Sequence, residues 1–210
     1  MLIKSIIRIK NKIRISFDDD TFLILNENSI IEYNLYKGLN LPDELFDKLN
    51  NESRFLTASN YAFRLLSLRN YTKKELTDKL KKKEYEEPVI LRVLNYLEEK
   101  NYINDEIFAE KFLESKIRQS KTGQLKIKSQ LIKKGIELKI IERLFRTILK
   151  EEDFEITAIN LAQKKIKMLK SKPLQEKVKM HKIYNFLLGK GFSMELSYKT
   201  AVSVVNKKEE

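Results

Sequence analysis

Apolar residues recur with a helical period over most of the chain, and one arrangement of them occurs three times. In each copy an apolar residue is followed four positions later by a leucine. Four positions after the leucine comes a glycine or glutamate, and a second apolar residue follows it directly. The copies are Leu76, Leu80 and Glu84-Tyr85; Ile127, Leu131 and Gly135-Ile136; and Ile183, Leu187 and Gly191-Phe192. The equivalent leucines are 51 and 56 residues apart. This spacing predicts one helical unit repeated three times and stacked into an elongated molecule.

The first fifty residues have a different pattern, in which β-branched and aromatic residues alternate with polar ones and predict short strands. Its members are Ile3, Ile6, Ile7, Ile13, Ile15, Phe17, Phe22, Ile24, Ile30 and Tyr33. Segments 11–12, 18–20 and 26–28 are rich in Asn and Asp, which tolerate turn geometry. A hairpin turn is favoured over a metal site for the three aspartates, because no other carboxylate or histidine stands at ligand spacing. Pro42 predicts the start of a short helix.

Beyond residue 53 the pattern divides into three units of three helices. We call residues 53–102, 103–150 and 151–206 repeats one, two and three, and residues 1–50 form a β-rich N-terminal extension. One unit of about 50 residues buries a limited share of its surface, so the repeats are expected to stack. The predicted fold class is mainly α, with tandem three-helix repeats forming an elongated curved module and a small β-rich extension.

Local signals place several helix ends. Thr72 and Glu75 have the spacing of a capping box, which predicts that the second helix of repeat one begins there. Pro88 is suited to the first turn of the third helix. Gly135 and Gly191 are expected in the left-handed conformation that ends a helix.

Further expectations concern single positions. Arg69 is expected on the first helix of repeat one, Gly123 in the loop before the second helix of repeat two, and Ser193 as a cap of the last helix. Lys172-Pro173 is expected to interrupt repeat three, and residues 206–210 to fray.

Composition and charge narrow the class of protein. With 42% hydrophobic residues, the 210-residue chain has enough apolar side chains for a sizeable core. It has no cysteine, which fits a reducing compartment, and no apolar run of membrane or secretory length. We therefore expect a cytoplasmic protein with no membrane association. We also expect it to be a monomer.

The formal net charge of +12 is confined to the repeats. Residues 1–50 carry seven basic and eight acidic side chains, whereas residues 103–150 carry twelve basic and six acidic ones. Basic helical repeats indicate a polyanionic partner, with nucleic acid as the first candidate. A solvated lysine-rich surface without a partner is the alternative.

Few residues are suited to catalysis. The single histidine, His181, lies between Met180 and Lys182, and no nucleophile or metal-ligand set accompanies it. No phosphate-cradling glycine loop or metalloprotease motif occurs. We expect no enzyme activity, no metal and no cofactor.

Basic residues gather on the first two helices of repeats one and two. The candidate nucleoprotein-binding residues are Arg64, Arg69, Lys73, Lys74, Arg118, Lys121, Lys126, Lys128 and Lys133. Lys126 and Lys133 are seven residues apart and share a helical face. Tyr71 and Tyr102 either stack on bases or cap the helical core.

Four segments carry a family resemblance. Residues 62–76, 93–97, 101–109 and 123–136 together resemble the RecX family. The resemblance implies tandem three-helix repeats that lie in the groove of the RecA–DNA filament, bind single- or double-stranded DNA through a basic face, and act as a negative modulator. Recombination, DNA repair and the co-protease step of the SOS response would be restrained.

This chain departs from the family pattern in two ways. Glu84 stands where the family has glycine, and lysine replaces arginine at several basic positions, so bidentate hydrogen bonds are not available there while phosphate attraction is kept. Two alternatives to the implied function remain. One is a stand-alone basic helical DNA-binding protein, and the other is a helical-repeat protein adaptor.

Overall fold

The computed structural model describes residues 1–169 and 174–206. Its N-terminal part is a three-stranded antiparallel sheet with the strands side by side in chain order, and the alternating pattern predicts these strands. The strands are β1 Ile3–Ile9, β2 Lys12–Phe17 and β3 Phe22–Asn26. The predicted hairpin turn at residues 18–20 is confirmed, with Asp20 in a left-handed conformation. The predicted fold class, mainly helical with a small N-terminal sheet, is confirmed.

The strand prediction is wrong at Ile30 and Tyr33. Residues Asn28–Glu32 form a short helix, α1, and Tyr33 follows it. A short apolar run does not distinguish strand from helix, and here the chain turns back so that the Leu35 amide donates to the Ile30 carbonyl at 2.9 Å.

The sheet and repeat one are joined by a single long helix, α2, Asp43–Leu66. Its first half covers the sheet: Leu49 is fully buried there, and the Ile24 amide donates to Ser53 Oγ at 2.8 Å. Its second half supplies Ala58 and Ala62 to the core of repeat one. The short helix expected at Pro42 is therefore wrong in length, because no glycine or proline interrupts residues 43–66.

Eight further helices follow in the described residues. They are α3 Lys73–Lys81, α4 Glu87–Glu99, α5 Asp105–Gln119, α6 Gln124–Lys133, α7 Leu138–Ile148, α8 Glu151–Leu169, α9 Glu176–Lys190 and α10 Met194–Asn206. Arg69 lies between α2 and α3, so its placement on the first helix is wrong. Lys172-Pro173 and residues 207–210 lie outside the described part of the chain.

The second helix of every repeat ends in the same turn. Glu84, Gly135 and Gly191 all have left-handed backbones, with φ of 61°, 84° and 88°. In each turn the amide of the following apolar residue donates to the carbonyl of the leucine five positions earlier, at 3.3, 3.1 and 3.2 Å. This is the Schellman motif, and it places the leucine and the apolar residue in one core.

The predicted caps are also present. Thr72 Oγ1 accepts from the Glu75 amide at 3.2 Å, and the Glu75 side chain accepts from the Thr72 amide, which completes the capping box. Ser193 Oγ accepts from the Leu196 amide at 3.2 Å at the start of α10. Gly123 precedes α6 as expected.

The chain forms two compact units, Met1–Asn104 and Asp105 onward. In the first unit, the sheet with the start of α2 and repeat one have separate cores. In the second unit, repeats two and three share one core, in which Ala109 and Leu131 belong to the same cluster as Ala158 and Leu187. Among the described residues, no helix combines the length and apolar character needed to cross a lipid bilayer.

Candidate nucleic-acid interface

Arg69 and Lys73 of repeat one each contact an acidic side chain. Arg69 Nη1 donates to Glu75 Oε2 at 3.1 Å, and its guanidinium lies 3.6 Å from the centre of the Tyr71 ring. Burial lowers the pKa of Arg69, but interactions with Glu75 and, to a smaller extent, with Tyr71 outweigh burial and raise the pKa above its usual value. Lys73 Nζ contacts Glu98 Oε2 at 2.7 Å and joins α3 to α4.

Arg64 and Lys74, like Arg69, are exposed. Arg64 lies on the outer side of α2, with its guanidinium 5.9 Å from the centre of the Tyr61 ring. Lys74 is exposed near the start of α3. The ion pair between Lys73 and Glu98 is partly exposed, and exposed ion pairs contribute only about 0–1 kcal/mol to stability. An anionic partner that displaces Glu98 can therefore bind Lys73.

The two tyrosines have different positions. Tyr71 is 8% exposed and belongs to the core of repeat one, as the core-capping alternative predicts. Tyr102 is 55% exposed, and its ring packs edge-on against Phe63 at 4.9 Å between centroids. Of the two, only Tyr102 has a ring accessible to a partner.

The candidates of repeat two are exposed or half-buried. Lys126 and Lys133 are both exposed on α6, and Arg118 is exposed in the last turn of α5. Lys128 is half-buried and pairs with Glu142 of α7 at 3.5 Å. Lys121 lies in the loop between α5 and α6, directly before a close contact with repeat three.

That contact joins the start of α6 to the end of α9. The Gly123 amide donates to the Lys190 carbonyl at 2.9 Å, and the Leu125 amide donates to the Gly191 carbonyl at 3.0 Å. A Cβ at Gly123 would overlap the Gly191 carbonyl, so only glycine fits. The unpaired amides of one helix start are thus satisfied by carbonyls at another helix end.

Beside this contact lies a basic cleft with a volume of about 690 Å³. Four of its lining side chains are lysines: Lys121 from the α5–α6 loop, Lys164 and Lys167 from α8, and Lys190 from α9. We call these the cleft lysines. Sequence reasoning found only Lys121, although the spacing of Lys164 and Lys167 on one face of α8 was a signal that could have been used.

Three family models match the chain in succession. They describe the first, second and third three-helix domains of RecX and match residues 58–97, 104–143 and 151–200. The turns at Glu84 and Gly135 lie within the first two matched ranges, and Gly191 lies within the third.

Curated relatives and solved structures agree with these matches. Regulatory protein RecX of Clostridium perfringens strain SM101 is 31% identical over 185 residues, which cover 88% of this chain and 86% of that protein. Its namesake in Halalkalibacterium halodurans is 32% identical over 186 residues, covering 89% and 69%.

Two crystal structures are also similar. One, of regulatory protein RecX, has a TM-score of 0.75 at 22% identity and covers 96% of this chain and 98% of that one, which shows the fold. The other, RecX from Lactobacillus salivarius, has a TM-score of 0.64 at 28% identity and covers 72% and 96%. Since the three domain models together span most of the chain, the protein belongs to the RecX family of regulatory proteins.

Proposed function

We propose that this protein is a negative modulator of the RecA recombinase, which binds in the groove of the RecA–DNA filament and restrains recombination and co-protease activity. The observation that carries the proposal is the match of all three RecX domains in order along the chain. The relatives named as regulatory proteins support it. We further propose that the protein acts in the cytoplasm, in DNA repair and the SOS response, without catalysing a reaction.

The mechanism that we propose is noncovalent wedging. Repeats two and three share one core, so they would enter the groove as a single body. Exposed lysines such as Lys126 and Lys133 would be attracted to phosphates and acidic side chains of the filament. A body held in this way would hinder the exchange of RecA protomers and the access of a repressor.

The direct test is the ATPase activity of RecA on single-stranded DNA. We expect inhibition at substoichiometric amounts of this protein, because one bound molecule would affect neighbouring protomers of a filament. ATPase activity that stays unchanged at equimolar protein would overturn the proposal.

A charge-reversal variant tests the proposed face. Lys126→Glu, Lys128→Glu and Lys133→Glu together should weaken filament binding while helicity is kept, since none of the three is buried. A control with the same change in net charge reverses Lys111, Lys139 and Lys182, which are exposed elsewhere in the second unit. Equal loss of binding in both variants would contradict the assignment of the face.

A stand-alone DNA-binding protein is the second candidate, and the four-lysine cleft is the observation that favours it. Sequence preference and binding to bare DNA that survives about 200 mM salt would support this candidate, because nonspecific phosphate contacts weaken steeply with salt. Capture of an unrelated protein in the absence of RecA would instead favour an adaptor.

A further inference from the structure

The basic cleft is lined almost entirely by lysines and neutral polar side chains. Besides the cleft lysines, the lining consists of amide and hydroxyl side chains, including Gln119, Asn160 and Gln163, with one apolar residue, Leu161. No carboxylate and no aromatic ring is among the described residues that line it. Ammonium and amide groups are hydrogen-bond donors, so the cleft suits a ligand that is anionic and rich in acceptor oxygens.

The cleft lysines have no acidic partner that explains their grouping. Within residues 1–169 and 174–206, none of their four ammonium groups is paired with a carboxylate. Elsewhere in the same unit the fold does form such pairs, Lys128 with Glu142 and Lys199 with Glu155. Like charges three residues apart on a helix, as at Lys164 and Lys167, repel each other and disfavour folding. A bound anion would remove this repulsion.

The cleft is also held in shape by the backbone. Lys190 is fixed because its carbonyl accepts from the Gly123 amide at 2.9 Å, and Lys121 is only two residues before that glycine. Lys164 and Lys167 lie on one face of α8, whose Phe154, Ala158 and Ala162 are buried in the shared core. The backbone positions that carry the four lysines are therefore held in place, so that binding has to order only their side chains.

The size and composition of the cleft select the ligand. Its volume of about 690 Å³ is far larger than one phosphate group needs, so it has room for consecutive groups of an extended strand. Lysine contacts phosphate as a point charge and does not read base edges, and no ring among the described lining residues is present for stacking. The expected contact is therefore with a backbone and is independent of base sequence.

We propose that the basic cleft between repeats two and three binds the sugar-phosphate backbone of a single DNA strand through Lys121, Lys164, Lys167 and Lys190. This deepens the proposed function by assigning the DNA contact to a place in the second unit, and it rests on that function only for the choice of DNA. Three of these lysines belong to repeat three, where the sequence suggested no binding residue.

The experiment measures binding of the full chain to a fluorescent oligothymidylate of about 20 nucleotides, by anisotropy, from about 50 to 200 mM salt. The variant replaces all four cleft lysines by glutamine. We expect its affinity to fall at least about tenfold at the lowest salt. The slope of log K against log salt should decrease by about 0.7 for each phosphate that the variant no longer neutralises.

The matched control changes Lys111, Lys139, Lys177 and Lys182 to glutamine, which alters net charge equally on exposed sites outside the cleft. It should keep most of the affinity and slope. Unchanged binding by the cleft variant, or equal loss by both variants, would overturn the proposal. Circular dichroism and the melting temperature establish that both variants are folded.

Competition experiments distinguish binding of a DNA strand from binding of a small phosphate-containing anion. Thymidine monophosphate and inorganic phosphate should displace the strand only at much higher phosphate concentration, and displacement at equal concentration would indicate a small-anion site and overturn the strand assignment. Tighter binding of the wild-type chain to duplex DNA than to the single strand would also overturn the strand assignment. Since the assay contains no RecA, its failure leaves the filament proposal standing, and a failed ATPase test leaves this one standing.

Discussion

The turns that end the second helices of repeats one and three have the same hydrogen bonds but different residues. Glu84 is exposed and has φ of 61°, whereas Gly191 has φ of 88° and lies against Lys126 of repeat two. A Cβ at Gly191 would lie 2.6 Å from the Lys126 amide nitrogen. The turn itself therefore tolerates a side chain, and glycine is required where another repeat packs on it.

The same contrast holds at the helix starts. In repeat one, α3 is capped by its own Thr72 and Glu75. In repeat two, α6 begins at Gly123 without a side-chain cap, and repeat three supplies the Gly191 carbonyl to its Leu125 amide. Repeat one is locally self-sufficient, whereas repeats two and three complete one another.

The largest expected effect concerns a feature that the repeats share, the buried leucine before each turn. Leu80 and Leu187 each precede the turn by four residues and are fully buried, so Leu80→Ala and Leu187→Ala should each reduce the free energy of unfolding by about 2–5 kcal/mol. Urea unfolding followed by circular dichroism measures both. Leu131→Ala should behave alike. A cost below about 1 kcal/mol at one site would show that its repeat lacks the common core.

The next effect tests the contact between repeats two and three. Gly191→Ala forces a Cβ into Lys126 and an alanine into a left-handed backbone, and we expect a loss of about 2–4 kcal/mol. The control is Gly189→Ala two residues earlier, where nothing lies within 4 Å. Because glycine is unfavourable inside a helix, this control should gain about 0.5–1 kcal/mol. Equal effects at the two glycines would contradict the close contact between repeats.

A smaller effect tests the cap of repeat one. Thr72→Ala removes the acceptor of the Glu75 amide and should cost about 1 kcal/mol. Thr72→Ser keeps a hydroxyl oxygen at the same place and should lose less. The same urea titration measures both variants. If alanine and serine cost the same, burial of the threonine methyl group and not the cap would account for the loss.

The smallest effect should be a gain. Glu84→Gly removes the steric strain of a left-handed non-glycine residue at an exposed site. Glycine loses more conformational entropy on folding, which offsets part of this gain, so we expect about 0.5–1 kcal/mol of stabilisation. Lys83→Gly, one position earlier in the turn at a residue without positive φ, is the control and should be neutral or destabilising. A loss of stability from Glu84→Gly would mean that the glutamate side chain stabilises the turn.

The candidate site was only partly predictable for a related reason. Arg69 and Lys73 were predicted as binding residues, but in the fold they contact Glu75 and Glu98. The partner Glu98 is 25 residues from Lys73, and no local pattern indicates that α3 and α4 bring them together.

The sequence by itself determined local features: the helices α3 to α10, the capping box at Thr72, and the left-handed turns at Gly135 and Gly191. These depend on interactions between residues a few positions apart, which composition and spacing record. Tertiary structure alone decided that α2 serves both the sheet and repeat one, that repeats two and three share a core, and that Lys121 and Lys190 meet at one cleft. Those outcomes depend on which apolar faces pack together, and many chain arrangements satisfy the same local pattern until packing selects one.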